Sequence, residues 1–119
     1  RLKVGTIRAG NLYGTLEMLI LRALELWGPM HGVGVADHIA SRSAGLFRVE
    51  EGSLYPALHR LQAKGFVDWE WRKTEEGKRA KFYQITRKGQ RALSSKLECW
   101  VASTRAMLSL LEVPMEAVK

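Results

Sequence analysis

The sequence has a single cysteine, Cys99, in 119 residues, which excludes an intrachain disulfide framework. A lone thiol suits a reducing compartment, and a cytoplasmic protein is expected. No stretch approaches the roughly 20 apolar residues needed to cross a bilayer, so no membrane partner is expected. No signal-peptide pattern follows Arg1, which leaves open what precedes it. Internal repeats, low-complexity tracts, a Walker sequence and a Gly-rich phosphate loop are all missing from the sequence. Ser53 lacks the GxSxG surroundings of a nucleophile elbow. An enzyme reading therefore has no catalytic residue to stand on, and no cofactor is called for.

Acidic residues are also scarce. Twelve Asp and Glu stand against 19 Lys and Arg, for a net charge of +7. The imbalance is local. Between His59 and Arg91, ten Lys/Arg (60, 64, 72, 73, 78, 79, 81, 87, 88 and 91) meet four acids (68, 70, 75 and 76), leaving +6. The rest holds nine bases and eight acids, or +1. Such a stretch is either the electrostatic footprint of a polyanion or a solvated Lys/Arg-rich surface. Hydrophobic residues make up 46% of the chain. That is enough for one domain with a modest core, which a second copy sharing an apolar face would enlarge.

Leu16, Leu19, Ile20, Ala23, Leu24 and Trp27 recur at helical spacing. They predict a first helix capped by Thr15 and stopped by Gly28-Pro29. A second helix is expected on Val33, Val35, Ala36, Ile39 and Ala40, with Asp37, His38 and Arg42 outward and Gly45 closing it. "LFRV" (46–49) is too short for a helix and is expected to add a strand to a small sheet. In "EGSLYPALHRLQAKGFV", Leu54, Ala57, Leu58 and Leu61 form one face of a third helix. Ser53 is its expected cap, Pro56 is expected in the first turn where a missing N–H costs nothing, and Gly65 is its expected end. "FVDWEWRK" alternates, with Val67, Trp69 and Trp71 expected toward the core. "KRAKFYQIT" follows after a "TEEG" turn, so the two predict a β-hairpin carrying Arg72, Lys73, Lys78, Arg79 and Lys81. Thr86 is expected to cap a last helix running to about Leu111. Leu93, Leu97, Trp100, Thr104, Met107 and Leu111 are spaced 4, 3, 4, 3 and 4 apart in it, a coiled-coil-like seam that Val101 and Leu108 broaden.

Helices, a short strand, a third helix, a hairpin and a long helix make the order of a winged helix-turn-helix. The expected fold class is mainly α (α+β). It comprises an N-terminal arm (1–13), a winged helix-turn-helix domain (14–86) and a long C-terminal dimerisation helix and tail (87–119). The third helix would present Ser53, Tyr55, His59, Arg60 and Lys64 to a major groove, beside a wing carrying Lys78, Arg79 and Lys81. The leading alternative is a winged-helix module that holds another protein. RNA is a subordinate option, because it usually calls for exposed stacking aromatics and Trp69 and Trp71 read as core-facing.

"EGSLYPALHRLQAKGFV" followed by "GKRAKFYQITRKGQRAL" resembles the PadR family of bacterial transcriptional regulators, and "GTLEMLILRALELWGPMHGVGVADHI" fits that family's first two helices. The single closing helix is similar to the short-tailed subfamily. The resemblance implies a homodimeric repressor that binds an inverted-repeat operator in double-stranded DNA and dimerises through the last helix. It implies that Ser53, Tyr55 and His59 lie on the recognition face with Arg60 beside them, that Tyr55 packs or hydrogen-bonds at a phosphate, and that Lys78, Arg79 and Lys81 form the basic wing. Val33 stands where the family often has a tyrosine. In some short-tailed members an aromatic at the dimer interface stacks a planar ligand, which makes Trp100 a candidate platform for a small aromatic effector; a plain packing role is the other reading. His31, His38, His59 and Cys99 show no ligand spacing, so no metal is expected. Cys99 is expected to be a buried, inert thiol rather than a redox switch.

Overall fold

A computed structural model describes residues 7–8 and 14–114. The expected arm (1–13) thus lies outside the described residues, apart from the strand β1 (Ile7–Arg8). The helix α1 (Thr15–Trp27) is preceded by Gly14 at φ 78°. Entry through a left-handed residue suits glycine, so Thr15 is the first helical residue rather than the cap. The short strand β2 (Met30–His31) leads into α2 (Gly32–Arg42), and the strand β3 (Phe47–Arg48) follows it. The helix α3 (Glu51–Ala63), the hairpin strands β4 (Val67–Lys73) and β5 (Arg79–Ile85), and α4 (Arg87–Leu110) complete the order.

The expected strand at "LFRV" exists, but it does not join the hairpin. It pairs in parallel with β1. Met30–His31 joins instead, opposite Tyr83 and Phe82, to make a three-stranded sheet in the order β2-β5-β4. Two residues after Gly28-Pro29 are too few to show strand periodicity, so this pairing was invisible in the sequence.

The core is built around α1. Ile20, Leu21 and Leu24 pack with Val35 and Ile39 of α2, with Leu54, Leu58 and Leu61 of α3, and with Val67, Tyr83 and Leu93. Helical spacing selected Ile20 and Leu24 on α1 and Leu54, Leu58 and Leu61 on α3, but it passed over the fully buried Leu21 and placed Trp27, which is 45% exposed, on the core face. Val33 departs from expectation: it is exposed, while Ala36 and Ala40 are half-buried. His38, expected outward, is half-buried with its ring 4.0 Å from that of Trp27. Trp71 departs as well. The hairpin runs out past the core, so Val67 is buried and Trp69 half-buried while Trp71 is 49% exposed.

The start of α4 is locked to the end of α3. The Thr86 hydroxyl accepts from the Gly89 amide at 3.0 Å and donates to the Gly65 carbonyl at 2.7 Å. The Thr86 amide donates to the Phe66 carbonyl at 3.0 Å. A Cβ on Gly89 would lie 2.2 Å from that same carbonyl oxygen, so only glycine fits there. Leu93 is buried in the chain's own core and Leu97 packs on its edge. Beyond them α4 leaves the core. At 1.5 Å per residue its 24 residues span about 36 Å.

Candidate nucleic-acid interface

The helix α3 is amphipathic by construction. Leu54, Ala57, Leu58 and Leu61 are buried, which turns Tyr55, His59 and Arg60 outward and leaves Ser53 half-buried. The helix begins earlier than the cap chemistry of Ser53 suggests. Its N-cap is Glu50, whose carbonyl accepts from the amides of Ser53 (3.0 Å) and Leu54 (2.9 Å). Ser53 is therefore the third helical residue, and Pro56 the sixth rather than a first-turn residue. The proline does remove a bond, the one its N–H would give the Gly52 carbonyl. Gly52 is exposed, so water takes that carbonyl at little cost.

Tyr55 is held by a close approach. A Cβ on Gly32 would lie 2.8 Å from the Tyr55 hydroxyl oxygen, so the ring rests on bare backbone at the first residue of α2. Tyr55, Lys81 and Tyr83 line one cavity of about 280 Å³, which brings α3 and the hairpin together. Burial of Tyr83, and then its neighbour Tyr55, push the Tyr83 phenol above its ordinary pKa.

Arg60 and Lys64 have partners inside the chain. The Arg60 Nε donates to the Glu17 Oε2 at 2.9 Å, and the Lys64 Nζ to the Oε1 at 3.0 Å. Burial alone would raise the Glu17 carboxyl, but these hydrogen bonds and the two positive charges outweigh it and hold the pKa below its ordinary value. Both cations sit on the half of α3 that leans on α1, at the end away from Ser53. Glu17 was not legible as a site residue, because it stands 43 residues before Arg60 in the sequence.

The wing has the expected turn. The Lys78 amide donates to the Thr74 hydroxyl at 3.2 Å, the Thr74 amide donates to the Lys78 carbonyl at 2.7 Å, and Gly77 takes φ 82°. The Arg79 guanidinium lies 4.4 Å from the Trp71 ring centroid and the Lys81 ammonium 4.3 Å from that of Trp69.

The candidate dimer residues divide. Leu93 and Leu97 serve the core, Thr104 and Leu108 are half-buried, and Trp100, Met107 and Leu111 are 49%, 60% and 65% exposed. The shallow groove on α4 is lined by Leu97, Glu98, Val101, Ala102 and Arg105 rather than by Trp100. Cys99, expected to be buried, is exposed. The histidines are dispersed: His31 stacks on Phe82, His38 packs on Trp27 and His59 lies on α3. Among the described residues no group of three or more His, Cys, Asp or Glu could hold a metal, and no helix is long and apolar enough to cross a membrane.

Residues 20–95 match the Transcriptional regulator PadR-like family. Solved structures that share the architecture include three transcriptional regulators. A transcriptional regulator from Clostridium thermocellum is 26% identical with a TM-score of 0.74, the match covering 83% of this chain and 95% of that one. A PadR family regulator from Eggerthella lenta is 30% identical with a TM-score of 0.71, covering 85% of each chain. A PadR-like regulator from Bacillus cereus is 27% identical with a TM-score of 0.72, covering 84% of this chain and 94% of that one.

Proposed function

This chain belongs to the PadR-like family of transcriptional regulators and is a DNA-binding transcription regulator rather than an enzyme, and on that premise we propose that it acts as a homodimeric repressor of an inverted-repeat operator. The observation that carries the dimer is α4 beyond Leu97, where Trp100, Met107 and Leu111 stand exposed on a helix that its own domain does not cover. A two-fold through that helix would place two copies of α3 in successive major grooves, roughly 34 Å apart. In this reading Ser53, Tyr55 and His59 face the bases, and Lys78, Arg79 and Lys81 bind phosphates. Arg60 and Lys64, tethered to Glu17, act at the rim of the same surface. The charge of that surface disfavours a protein-holding module, which would show apolar or acidic residues there.

The test is a footprint on the DNA upstream of the protein's own gene, repeated across salt concentrations. Protection of two half-sites about one helical turn apart, lost steeply with salt, is the expected result. A flat salt response would contradict the phosphate-binding reading. The effector reading belongs to the same dimer: a flat aromatic compound stacking on Trp100 would favour a different half-site spacing and release the operator. Such compounds should quench tryptophan emission in the wild type and much less in Trp100→Ala. Equal quenching in both would remove Trp100 from the pocket.

A further inference from the structure

The hairpin register sorts charge between the two faces of the wing. Residues directly opposite in an antiparallel pair share a face. Trp71 stands opposite Lys81, and Lys73 opposite Arg79. That face carries three cations and no acid. Its other side carries Asp68, Glu70 and Arg72, and Arg72 is already paired with Glu70. By sequence alone the hairpin looks only weakly basic, because the acids dilute the count. By face it is sharply divided.

The cationic face also holds an exposed aromatic. Trp71 is 49% exposed, with the Arg79 guanidinium 4.4 Å from its ring centroid; the Lys81 ammonium sits mainly over the neighbouring Trp69 ring, 4.3 Å away, and 5.8 Å from that of Trp71. Cation–π contact restrains two long side chains that would otherwise be free, and so presents their charges at defined points around a flat apolar plate. The same face continues inward to Tyr83, and Lys81 and Tyr83 line the cavity that Tyr55 of α3 also lines. It therefore adjoins the recognition helix.

We propose that Trp71 is a DNA-contacting residue of the wing: its indole packs on the apolar deoxyribose surface of the groove wall flanking the half-site, while Arg79, steered by this ring, and Lys81, held over Trp69, neutralise adjacent phosphates. This rests on the DNA-binding reading above. It assigns the contact to one face of the hairpin and gives it a nonionic component.

The experiment uses the full chain and a duplex that the wild type selects from a randomised pool, with the matching single strand as a second probe. Trp71→Ala should weaken duplex binding roughly tenfold at every salt concentration and leave the slope of log affinity against log salt unchanged. Trp71→Phe should retain most of the affinity. Arg79→Ala should reduce the slope by about one, whereas Arg72→Ala, the same charge removed from the opposite face, should leave it unchanged. Thermal unfolding midpoints accompany every variant; if Trp71→Ala is destabilised, Trp71→Phe and the Arg79/Arg72 pair still decide. Wild-type affinity in Trp71→Ala, equal slope changes in Arg79→Ala and Arg72→Ala, or tighter binding to the single strand would overturn the proposal while leaving DNA binding intact. Failure of the wild type to select any duplex would remove the DNA-binding reading and this one with it.

Discussion

The outer surface of α3 with its wing and the distal half of α4 both face solvent, and they do so with opposite chemistry. Around the wing the exposed apolar atoms are aromatic and bracketed by cations, as at Trp71 between Arg79 and Lys81. On distal α4 they are mostly aliphatic: Met107, Leu110 and Leu111 are 60%, 84% and 65% exposed, with Trp100 at 49% the one exposed aromatic among the described residues of the helix. A cation-studded aromatic surface is tolerated by water and complements a polyanion. A bare aliphatic stripe is costly in water and complements another such stripe. The two surfaces therefore fit two different partners, DNA at the first and, in the proposed dimer, a second copy of the chain at the second.

The most damaging change should strike α4. If the proposed dimer forms through α4, wild type should sediment as a dimer in analytical ultracentrifugation and Met107→Glu with Leu111→Glu as a monomer. Because two linked half-sites gain on the order of 10²–10⁴ in affinity, operator binding should fall by a comparable factor while the fold survives. Retained dimer would show that the stripe is not the interface.

Next is the joint between the two regions. Gly89→Ala places a Cβ against the Phe66 carbonyl and the Ile85 side chain, and should lower unfolding stability by about 1–3 kcal/mol in denaturant titrations. A smaller effect would mean that α4 swings without disturbing α3. On the wing, Lys81→Ala should weaken binding to all duplexes alike and flatten the salt slope by about one, with no effect on the dimer.

The smallest effect concerns Glu17. Its carboxyl pKa is held below the ordinary 4.5 by Arg60 and Lys64, so its pairing stabilises the fold fully above about that pH. The contribution is lost as pH falls through the lowered folded value. Wild type should exceed Glu17→Gln by under about 1 kcal/mol at pH 6–8, because the Arg60 and Lys64 side chains are half-exposed. The gap should close in acid. A gap that widens below pH 4 would contradict the assignment.

Much of the α3 surface could be read in advance because burial and exposure follow one period. Once Leu54, Ala57, Leu58 and Leu61 are assigned inward, Tyr55, His59 and Arg60 must point out. The hairpin turn was legible for a similar local reason, a glycine able to take positive φ. Most misplaced features involve partners distant in sequence. Met30–His31 became a strand because β5 offered an open edge. Ser53 lost its capping role because the chain entered α3 three residues earlier. Trp71 kept its place in the alternation but not its burial, because the hairpin extends beyond the helices that would have covered it.

Helical and strand periods, turn residues and the concentration of charge after His59 were properties of the sequence alone, since each depends on neighbours a few positions apart. Tertiary structure decided which cations are free and which are tethered, which face of the wing is purely basic, and where α4 stops serving the core. Those depend on residues tens of positions apart meeting in space, as Glu17 meets Arg60 and Gly89 meets Phe66, and no local pattern encodes such a meeting.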